Sequence, residues 1–294
     1  MANLKEVRNR ITSVTSTQQI TSAMKMVSAA KLRRAQDAIV SLRPYANKLN
    51  EILQHLVLIT DSSQAVYSGT RDVQIVLLVA ITSNRGLCGA FNSNVIRRIK
   101  ALASGKYKDR KVSVLAIGKK ADDAFKGTEL HVIGTDLPKR LHRLFDDLSY
   151  DNITPVAESI MENYVIGQFD KVEIIYNEFK NAAVQNLVTE QYLPVLPPEE
   201  TGEATGMVHD YIFEPSKEEI VEELVPRSLK IQLYRAILES YAAEHGARMT
   251  AMHKATENAS DMLKELRISY NKARQASITN ELIEIVSGAD ALRN

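Results

Sequence analysis

Residues 252–273, MHKATENASDMLKELRISYNKA, decide the fold, because apolar or small side chains return there every three or four positions. This spacing places them along one side of an α-helix. The recurring positions are Met252, Ala255, Ala259, Met262, Leu266, Tyr270 and Ala273. The same spacing continues to Ala289, and Gly288 is predicted to stop the helix.

This predicted helix is long compared with an ordinary domain. No proline follows Pro226, so the helix can run for roughly 60 residues, which at about 1.5 Å per residue is roughly 90 Å. A compact domain of about 140 residues has a radius of gyration of only roughly 14 Å. We therefore expect the C-terminal helical domain, residues 216–294, to pair with another long helix or to be enclosed by other proteins.

The N-terminal residues 1–58 form the second predicted helical domain. Asn3 and Glu6 have the spacing of a capping box, and Pro44 is predicted to kink the helix near Arg43. An apolar stripe follows at Leu4, Val7, Ile11, Val14, Ile20, Met24 and Val27. Two long helices with roughly heptad stripes, at opposite ends of one chain, predict an antiparallel intramolecular coiled coil.

The two stripes contain many alanine, serine, threonine and glutamine residues where leucine would pack best. One interpretation is a short contact between helices that otherwise face water. The other is a helix pair whose outer faces contact more than one partner surface. Composition alone leaves both open.

Between the helices the pattern changes to alternating strands and helices, which predicts a Rossmann-like α/β domain over residues 73–213 with a mostly parallel sheet. The first strand, Val73–Ile81, is continuously apolar, as expected of a buried parallel strand. Other predicted strands are Lys111–Ile117, Leu130–Ile133, Lys171–Tyr176, Ala183–Leu193 and the edge strand His209–Phe213. Predicted helices cover Asn94–Ile99, Ala121–Phe125 and Ile153–Ile166, the last with Pro155 in its first turn.

Composition excludes several classes of protein. The longest apolar run, Ile75–Ile81, is too short to span a membrane, and the N-terminus lacks the apolar core of a signal peptide. The single cysteine, Cys88, excludes an internal disulfide and indicates a reducing compartment. We therefore expect an intracellular protein that meets a membrane only through a partner.

Charge is unevenly spread although the net charge is +1. Residues 1–48 hold nine Lys and Arg against two acids, and residues 199–223 hold nine acids against Lys217 alone. Acidic runs are usually solvated faces or docking surfaces. The basic N-terminal helix has Tyr45 only, so it lacks the aromatic residues that stack on bases, and we expect no nucleic acid partner.

No active site can be assembled from the sequence. Gly86 and Gly89 give G-x-x-G, which is neither a dinucleotide fingerprint nor a phosphate loop, so a structural turn is favoured over a phosphate site. Cys88 could be a nucleophile, but a buried small residue is the favoured interpretation. The six histidines have no metal-ligand spacing. We therefore predict that this chain has no catalytic residue, no cofactor and no metal ligand.

Four stretches resemble the gamma subunit of F-type ATP synthases. They are LKEVRNRI (4–11), TQQITSAMKMVS (17–28), RGLCG (85–89) and YNKARQASITNELIEIVSG (270–288). The resemblance extends over the whole chain and is most specific in the two terminal helices. It implies a central-stalk rotor of a proton-translocating enzyme, in which ion-driven rotation of a membrane c ring is coupled to ATP synthesis or hydrolysis at the beta subunits.

The resemblance also implies partners and contact residues. Contacts with the ring of alpha and beta subunits fall on Met24, Lys25, Arg274, Gln275, Thr279, Glu281 and Ile285. Contacts with the epsilon subunit and the c ring fall on Tyr211, Ile212, Phe213 and Glu214. The location implied is peripheral, at the cytoplasmic face of the bacterial inner membrane.

Two other classes of function stay open from the residues alone. A stand-alone nucleotide-binding α/β protein with a coiled-coil tether would require the Gly86–Gly89 loop to hold its ligand. A nucleic-acid binder would use the basic N-terminal helix and would show salt-dependent affinity.

Overall fold

The computed structural model describes residues 4–59, 67, 71–131, 137–138, 141–195 and 217–291. Five α-helices and four strands are assigned within these ranges. The helices are α1 Leu4–Ile59, α2 Phe91–Ser104, α3 Lys119–Phe125, α4 Tyr150–Val165 and α5 Lys217–Ala291. The strands are β1 Ile75–Ile81, β2 Lys111–Ile117, β3 Lys171–Phe179 and β4 Gln185–Leu193. A short 3₁₀ helix covers Leu141–Phe145.

The chain divides into two compact units. We call Met1–Ala29 with Arg248–Asn294 the paired-helix unit, and Ala30–Ala247 the sheet unit. Helices α1 and α5 each contribute residues to both units. The predicted class, two long terminal helices with a central, mostly parallel α/β sheet, is confirmed.

The sheet has the strand order β2-β1-β3-β4. Strand β1 pairs in parallel with β2 and with β3, and β4 is antiparallel to β3. The β3–β4 turn is held by Asn181, whose Oδ1 accepts hydrogen bonds from the backbone N–H groups of Ala183 and Val184 at 3.0 and 2.8 Å. The predicted hairpin between these two strands is therefore confirmed.

Strand β1 is apolar at every position because both of its faces are covered. Alternate residues point to opposite faces of a strand. On one face, β1 contributes Val76, Leu78 and Ala80, which pack with Val95 and Ile99 of α2 and Ala121 of α3. On the other face, it contributes Leu77, Val79 and Ile81, which pack with Ile160 of α4 and with Leu233 and Ile237 of α5. This accounts for the continuous apolar run seen in the sequence.

Several predicted boundaries are wrong. Helix α4 begins at Tyr150 rather than Ile153, and the Tyr150 ring packs edge-on against Tyr234 with ring centroids 5.8 Å apart. Pro155 therefore lies inside the helix, where it removes one backbone hydrogen bond. Gly288 does not stop α5, which continues to Ala291. A glycine inside a helix costs only about 1 kcal/mol relative to alanine, which is too little to end it.

Two predicted strands have a different outcome. In the Leu130–Ile133 segment, His131 forms an isolated parallel bridge with Val114, and residues 132 and 133 lie outside the described residues. The predicted edge strand His209–Phe213 also lies outside them. Helix α1 continues through Pro44, and the predicted kink near Arg43 stays a prediction.

Within the paired-helix unit, the two helices are antiparallel. The Arg8 guanidinium donates to the Tyr270 hydroxyl at 2.9 Å, and Lys25 Nζ lies 3.3 Å from His253 Nδ1. Moving 17 residues forward in α1, from Arg8 to Lys25, thus moves the partner 17 residues back, from Tyr270 to His253. This constant register is that of two helices paired side by side.

The less exposed residues of this pair include two series with the heptad spacing of alternating four and three. In α1 they are Val7, Ile11, Val14, Gln18, Thr21, Lys25 and Ser28. In α5 they are Met252, Thr256, Ala259, Leu263, Leu266, Tyr270 and Ala273. We call these two sets the seam. At its middle the Thr256 hydroxyl donates to the Thr21 hydroxyl at 2.8 Å.

The sequence interpretation placed three exposed residues on the inward stripe, and this was wrong. Ile20 and Val27 are 59% and 58% exposed, and Met262 is 52% exposed. Their neighbours Thr21, Ser28 and Leu263 occupy the seam instead. Small polar side chains fit the close approach of the helices here, and the threonine hydroxyls satisfy each other, so burial does not leave them unpaired.

Candidate functional site

The loop after β1 was the one candidate for a phosphate site, and its side chains are occupied by hydrogen bonds within the fold. Thr82 Oγ1 accepts from the Ala121 backbone N–H at 2.9 Å, and Asn84 Oδ1 accepts from the Lys119 N–H at 3.1 Å. Asn92 Oδ1 accepts from the Ser83 N–H at 2.9 Å. The Lys119 and Ala121 amides at the N-terminus of α3, which could otherwise face a phosphate, thus have intramolecular acceptors.

Helix α5 fills the crevice beside this loop. In open α/β sheets, ligands bind outside the carboxyl ends of the strands where the strand order reverses. Here that position, between the ends of β1 and β3, is packed by α5 through Ala243 and Ala247 against Phe91 and Phe179. Gly246 would bring an added Cβ to 3.3 Å from Ala182 and Phe179, so helix and hairpin are already in close contact. The geometry supports a structural turn rather than a phosphate site.

Cys88 has the surroundings of a structural residue. Its side chain is buried, and the Asn92 side-chain amide donates to its sulfur at 3.2 Å. Leu87 and Gly89 on either side adopt left-handed backbone conformations, with φ of 64° and 59°. Among the described residues, no group of three or more His, Cys, Asp or Glu side chains is arranged to hold a metal ion. No helix within the same ranges is long and apolar enough to cross a membrane.

The predicted contact residues of α1 lie on a surface that is more apolar than expected. Both are half-buried: Lys25 belongs to the seam, and Met24 lies next to it. Around them the structure exposes Ile20, Met26 and Val27, each by more than half of its side chain. Sequence reasoning missed these three as surface residues, because an apolar residue near a helical stripe is assigned to the core by default. The signal that could have identified them is the strict heptad of Gln18, Thr21, Lys25 and Ser28.

The predicted contact residues of α5 are all exposed. In the register with α1, Arg274 lies opposite Leu4, the first described residue of α1. The other four, Gln275, Thr279, Glu281 and Ile285, lie beyond it. Their polar groups bond within the helix: the Thr279 hydroxyl donates to the Gln275 carbonyl at 2.9 Å, and the Ser277 hydroxyl to Glu281 Oε1 at 3.3 Å.

The apolar residues beyond them form a continuous exposed surface. We call residues 278–291 the tip. Its exposed aliphatic side chains are Ile278, Leu282, Ile283, Ile285 and Val286, and a shallow groove is lined by Thr279, Leu282, Ile283, Val286 and Ser287. Leu292, a further aliphatic residue just beyond them in the sequence, lies outside the described residues. Exposed apolar surface of this kind marks an interface.

The second predicted set, Tyr211, Ile212, Phe213 and Glu214, lies outside the described residues, as does most of the acidic 199–223 segment. Three of its acids, Glu219, Glu222 and Glu223, are exposed in the first turns of α5. Negative charge there is favourable, because the N-terminus of a helix carries a partial positive charge.

A polar cluster joins the β3–β4 hairpin to α5 inside the sheet unit. Glu190 of β4 accepts hydrogen bonds from Arg235 at 2.9 Å and from Gln232 at 2.7 Å, both on Oε1, and from the Tyr176 hydroxyl at 3.0 Å on Oε2. We call these four residues the Glu190 cluster. Glu239, one turn beyond Arg235 on α5, has a buried Oε2 that accepts no hydrogen bond from any described residue.

The pKa of the Glu239 carboxyl is raised. Burial is the largest cause, and the Glu178 and Glu190 carboxylates raise it further, while Arg235 and Arg43 lower it. A folded-state pKa above the unfolded value means that the folded chain binds this proton more tightly. The stabilisation is therefore complete below the unfolded pKa, about 4.3, and is lost as pH rises through the raised folded pKa.

A Glu239→Gln chain is expected to show this directly. Glutamine resembles the protonated acid, so the thermal midpoints of variant and wild type should match in acid, and the variant should become the more stable as pH rises. Thermal unfolding of the full chain over a pH series measures the difference. The exposed Glu222→Gln is the matched control and should show no growing gap. If the wild type were the more stable of the two at alkaline pH, the raised pKa of Glu239 would be contradicted.

Comparisons with known proteins agree over the whole chain. A family model described as ATP synthase matches residues 3–292. The ATP synthase gamma chains of Flavobacterium johnsoniae and Flavobacterium psychrophilum are each 56% identical to this chain. The alignment covers 99% of both chains for the first and 100% of both for the second.

Solved structures with a similar fold come from mitochondrial ATP synthases. A chain of the Euglena gracilis OSCP/F1/c-ring structure has a TM-score of 0.64 at 22% identity, with 98% of this chain and 94% of that chain covered. A chain of the Tetrahymena thermophila central stalk/c-ring structure has a TM-score of 0.57 at 24% identity, with 80% and 99% covered. At these identities the likeness shows the fold alone.

Proposed function

Because this chain belongs to the ATP synthase gamma-chain family, we propose that it is the central-stalk rotor subunit of a proton-translocating F-type ATP synthase. It couples rotation of the membrane c ring to ATP synthesis or hydrolysis at the beta subunits. The observation that carries the proposal is the 56% identity to gamma chains along essentially the full length. The nucleotide chemistry belongs to the beta subunits, and this chain supplies no catalytic residue, cofactor or metal ligand.

The paired-helix unit contacts the ring of alpha and beta subunits. Met24 and Lys25, with the exposed Ile20, Met26 and Val27 around them, form one contact surface. Arg274, Gln275, Thr279, Glu281 and Ile285 form the other. As the helix pair turns, each beta subunit meets a different side of it, so the three beta sites differ at any moment.

The apolar tip suits a contact whose partner groups change during rotation. A charged side chain there would lose its water and have no fixed counter-charge, which is costly. An aliphatic side chain gains from burial against any apolar surface, because that attraction has no direction. The exposure of Ile278, Leu282, Ile283, Ile285 and Val286 supports this role.

The central domain, residues 73–213, carries the contacts with the epsilon subunit and the c ring through Tyr211, Ile212, Phe213 and Glu214. The acidic charge of residues 199–223 gives this segment an electrostatic means of docking. The helical domains 1–58 and 216–294 carry the contacts with alpha and beta. The subunit is peripheral, at the cytoplasmic face of the bacterial inner membrane, and reaches the membrane only through the c ring.

Reconstitution with alpha and beta subunits tests the proposal. The purified chain alone is expected to hydrolyse no ATP, and adding it to alpha and beta subunits should raise their turnover. Steady-state phosphate release measures both, with an equal amount of heat-denatured chain as the control. Multi-turnover hydrolysis by the single chain, or an alpha–beta mixture indifferent to it, would contradict the rotor function.

A further inference from the structure

The Glu190 cluster connects two strands of the sheet to one face of α5. Tyr176 belongs to β3, Glu190 to β4, and Gln232 and Arg235 to α5. Gln232 also donates to the Gln191 carbonyl at 3.2 Å, a backbone group of β4. The cluster is largely withdrawn from water, since the Glu190 and Arg235 side chains are 24% and 33% exposed. A single carboxylate thus accepts two hydrogen bonds from the helix and one from the neighbouring strand.

The remaining contact between α5 and the rest of the sheet unit is largely apolar. Along the helix, Leu229, Leu233, Ala236, Ile237 and Gly246 are buried. Such a surface resists separation, because apolar area would be exposed to water, but its attraction has no direction. Directional bonds add resistance to turning. The Tyr192 hydroxyl donates one to the Leu229 carbonyl at 3.1 Å, and the Glu190 carboxylate accepts two more from the Arg235 and Gln232 side chains.

A second ion pair also links α5 to the sheet unit but differs in its surroundings. Lys230 Nζ lies 2.6 Å from Glu158 Oε1 of α4, and the Lys230 and Glu158 side chains are 22% and 45% exposed. Water and salt reach this pair through the exposed Glu158 carboxylate, which lowers its contribution. Separating Arg235 from Glu190 is more costly, because both charges would be left partly buried and unpaired.

We propose that the Glu190 cluster is an element that transmits torque between the α/β sheet and helix α5, with Arg235 and Glu190 as its positioning residues. This inference rests on the proposed rotor function, in which force enters through the sheet unit and leaves through the paired helices. Helix α5 continues without interruption into the paired-helix unit. A bond that resists its rotation relative to the sheet therefore acts on the same helix that carries the proposed contacts with the beta subunits.

Coupling measurements in the membrane-reconstituted complex test this role. We compare wild type with Arg235→Gln, Glu190→Gln and the conservative Arg235→Lys, and use Lys230→Gln as the matched control that removes the Lys230–Glu158 ion pair. In Arg235→Gln and Glu190→Gln, hydrolysis without a proton gradient should match wild type, while protons pumped per ATP against a gradient should fall. Lys230→Gln should retain the wild-type ratio, and Arg235→Lys should recover part of it.

Hydrogen exchange gives an independent readout of the same bond. Amides of residues 229–239 in the assembled complex should exchange about tenfold faster in Arg235→Gln, the factor expected for one lost hydrogen bond to a charged group. Equal coupling in wild type, Arg235→Gln and Glu190→Gln would overturn the inference, as would equal uncoupling by Lys230→Gln. A wild-type chain that fails to couple the complex at all would instead overturn the proposed function.

Discussion

Replacing Gly118 by alanine is expected to destabilise the sheet unit severely. Gly118 lies between β2 and α3 with φ of 107° and ψ of 144°, a conformation that is essentially restricted to glycine. A Cβ built there would lie 2.0 Å from the Thr82 carbonyl oxygen and 2.7 Å from its carbon. Backbone strain costs about 1–3 kcal/mol and overpacking a further 1–3 kcal/mol, so the loss should be roughly 2–6 kcal/mol in total.

Urea unfolding of the full chain measures this loss, and the same helix provides the control. Gly127, just after α3, also has a positive φ of 79°, but no atom lies within 4 Å of its added Cβ. Gly127→Ala should therefore show the strain of the left-handed conformation alone, about 1–2 kcal/mol. If the two variants unfold at the same urea concentration, the contact with Thr82 has no energetic importance.

The Ile285→Asp substitution is expected to abolish most of the turnover of the assembled enzyme. Ile285 is 67% exposed on the tip, and if the tip is enclosed by the alpha and beta ring, a carboxylate there is desolvated without a partner. That costs several kcal/mol, so turnover or assembly should fall by more than about tenfold. Ile285→Ala removes only apolar contact and should cost less.

The matched control is Ile268→Asp. Ile268 is 57% exposed on the same helix, but it lies within the register where α1 runs alongside α5, rather than beyond it. Ile268→Asp should therefore reduce turnover less than Ile285→Asp does. Hydrogen exchange supplies the second measurement, since amides of residues 278–291 should exchange quickly in the free chain and slowly in the complex. Equal protection in both states would mean that the tip is not enclosed by partners.

The sheet could be predicted from the sequence because its signals are local. Strand β1 is apolar at every position, and this pattern arises only when both faces are covered. The β3–β4 hairpin was predictable for a similar reason, since two strand-like runs are separated by the polar turn around Asn181. The terminal helices carried both a periodic pattern and the family resemblance.

The seam was predictable only in part. Its residues nearest the N-terminus of α1, such as Val7 and Ile11, are apolar, but the rest of the α1 set includes Gln18, Thr21, Lys25 and Ser28. Hydrophobic periodicity cannot find a buried position that carries a hydroxyl group. It chose Ile20 and Val27 instead, and these two residues contribute exposed apolar surface beside Met24.

The Glu190 cluster could not have been predicted from sequence. Glu190 and Arg235 are 45 positions apart, and neither belongs to a motif with a fixed spacing. Only the packing of α5 across the hairpin brings them together. The same holds for the filled crevice beside Cys88, where the deciding residues, Ala243 and Gly246, are small and carry no chemical signal.

The pairing of Arg8 with Tyr270 joins residues that are 262 positions apart, and this separation has a consequence for synthesis on the ribosome. At about 5–20 residues per second, roughly 13 to 50 s pass between the translation of the two residues. Throughout that interval the first half of α1 has been made, but the part of α5 that pairs with it has not. A lone helix has little stability in water. The N-terminal segment must therefore be shielded from aggregation and proteolysis until the last 50 or so residues are made.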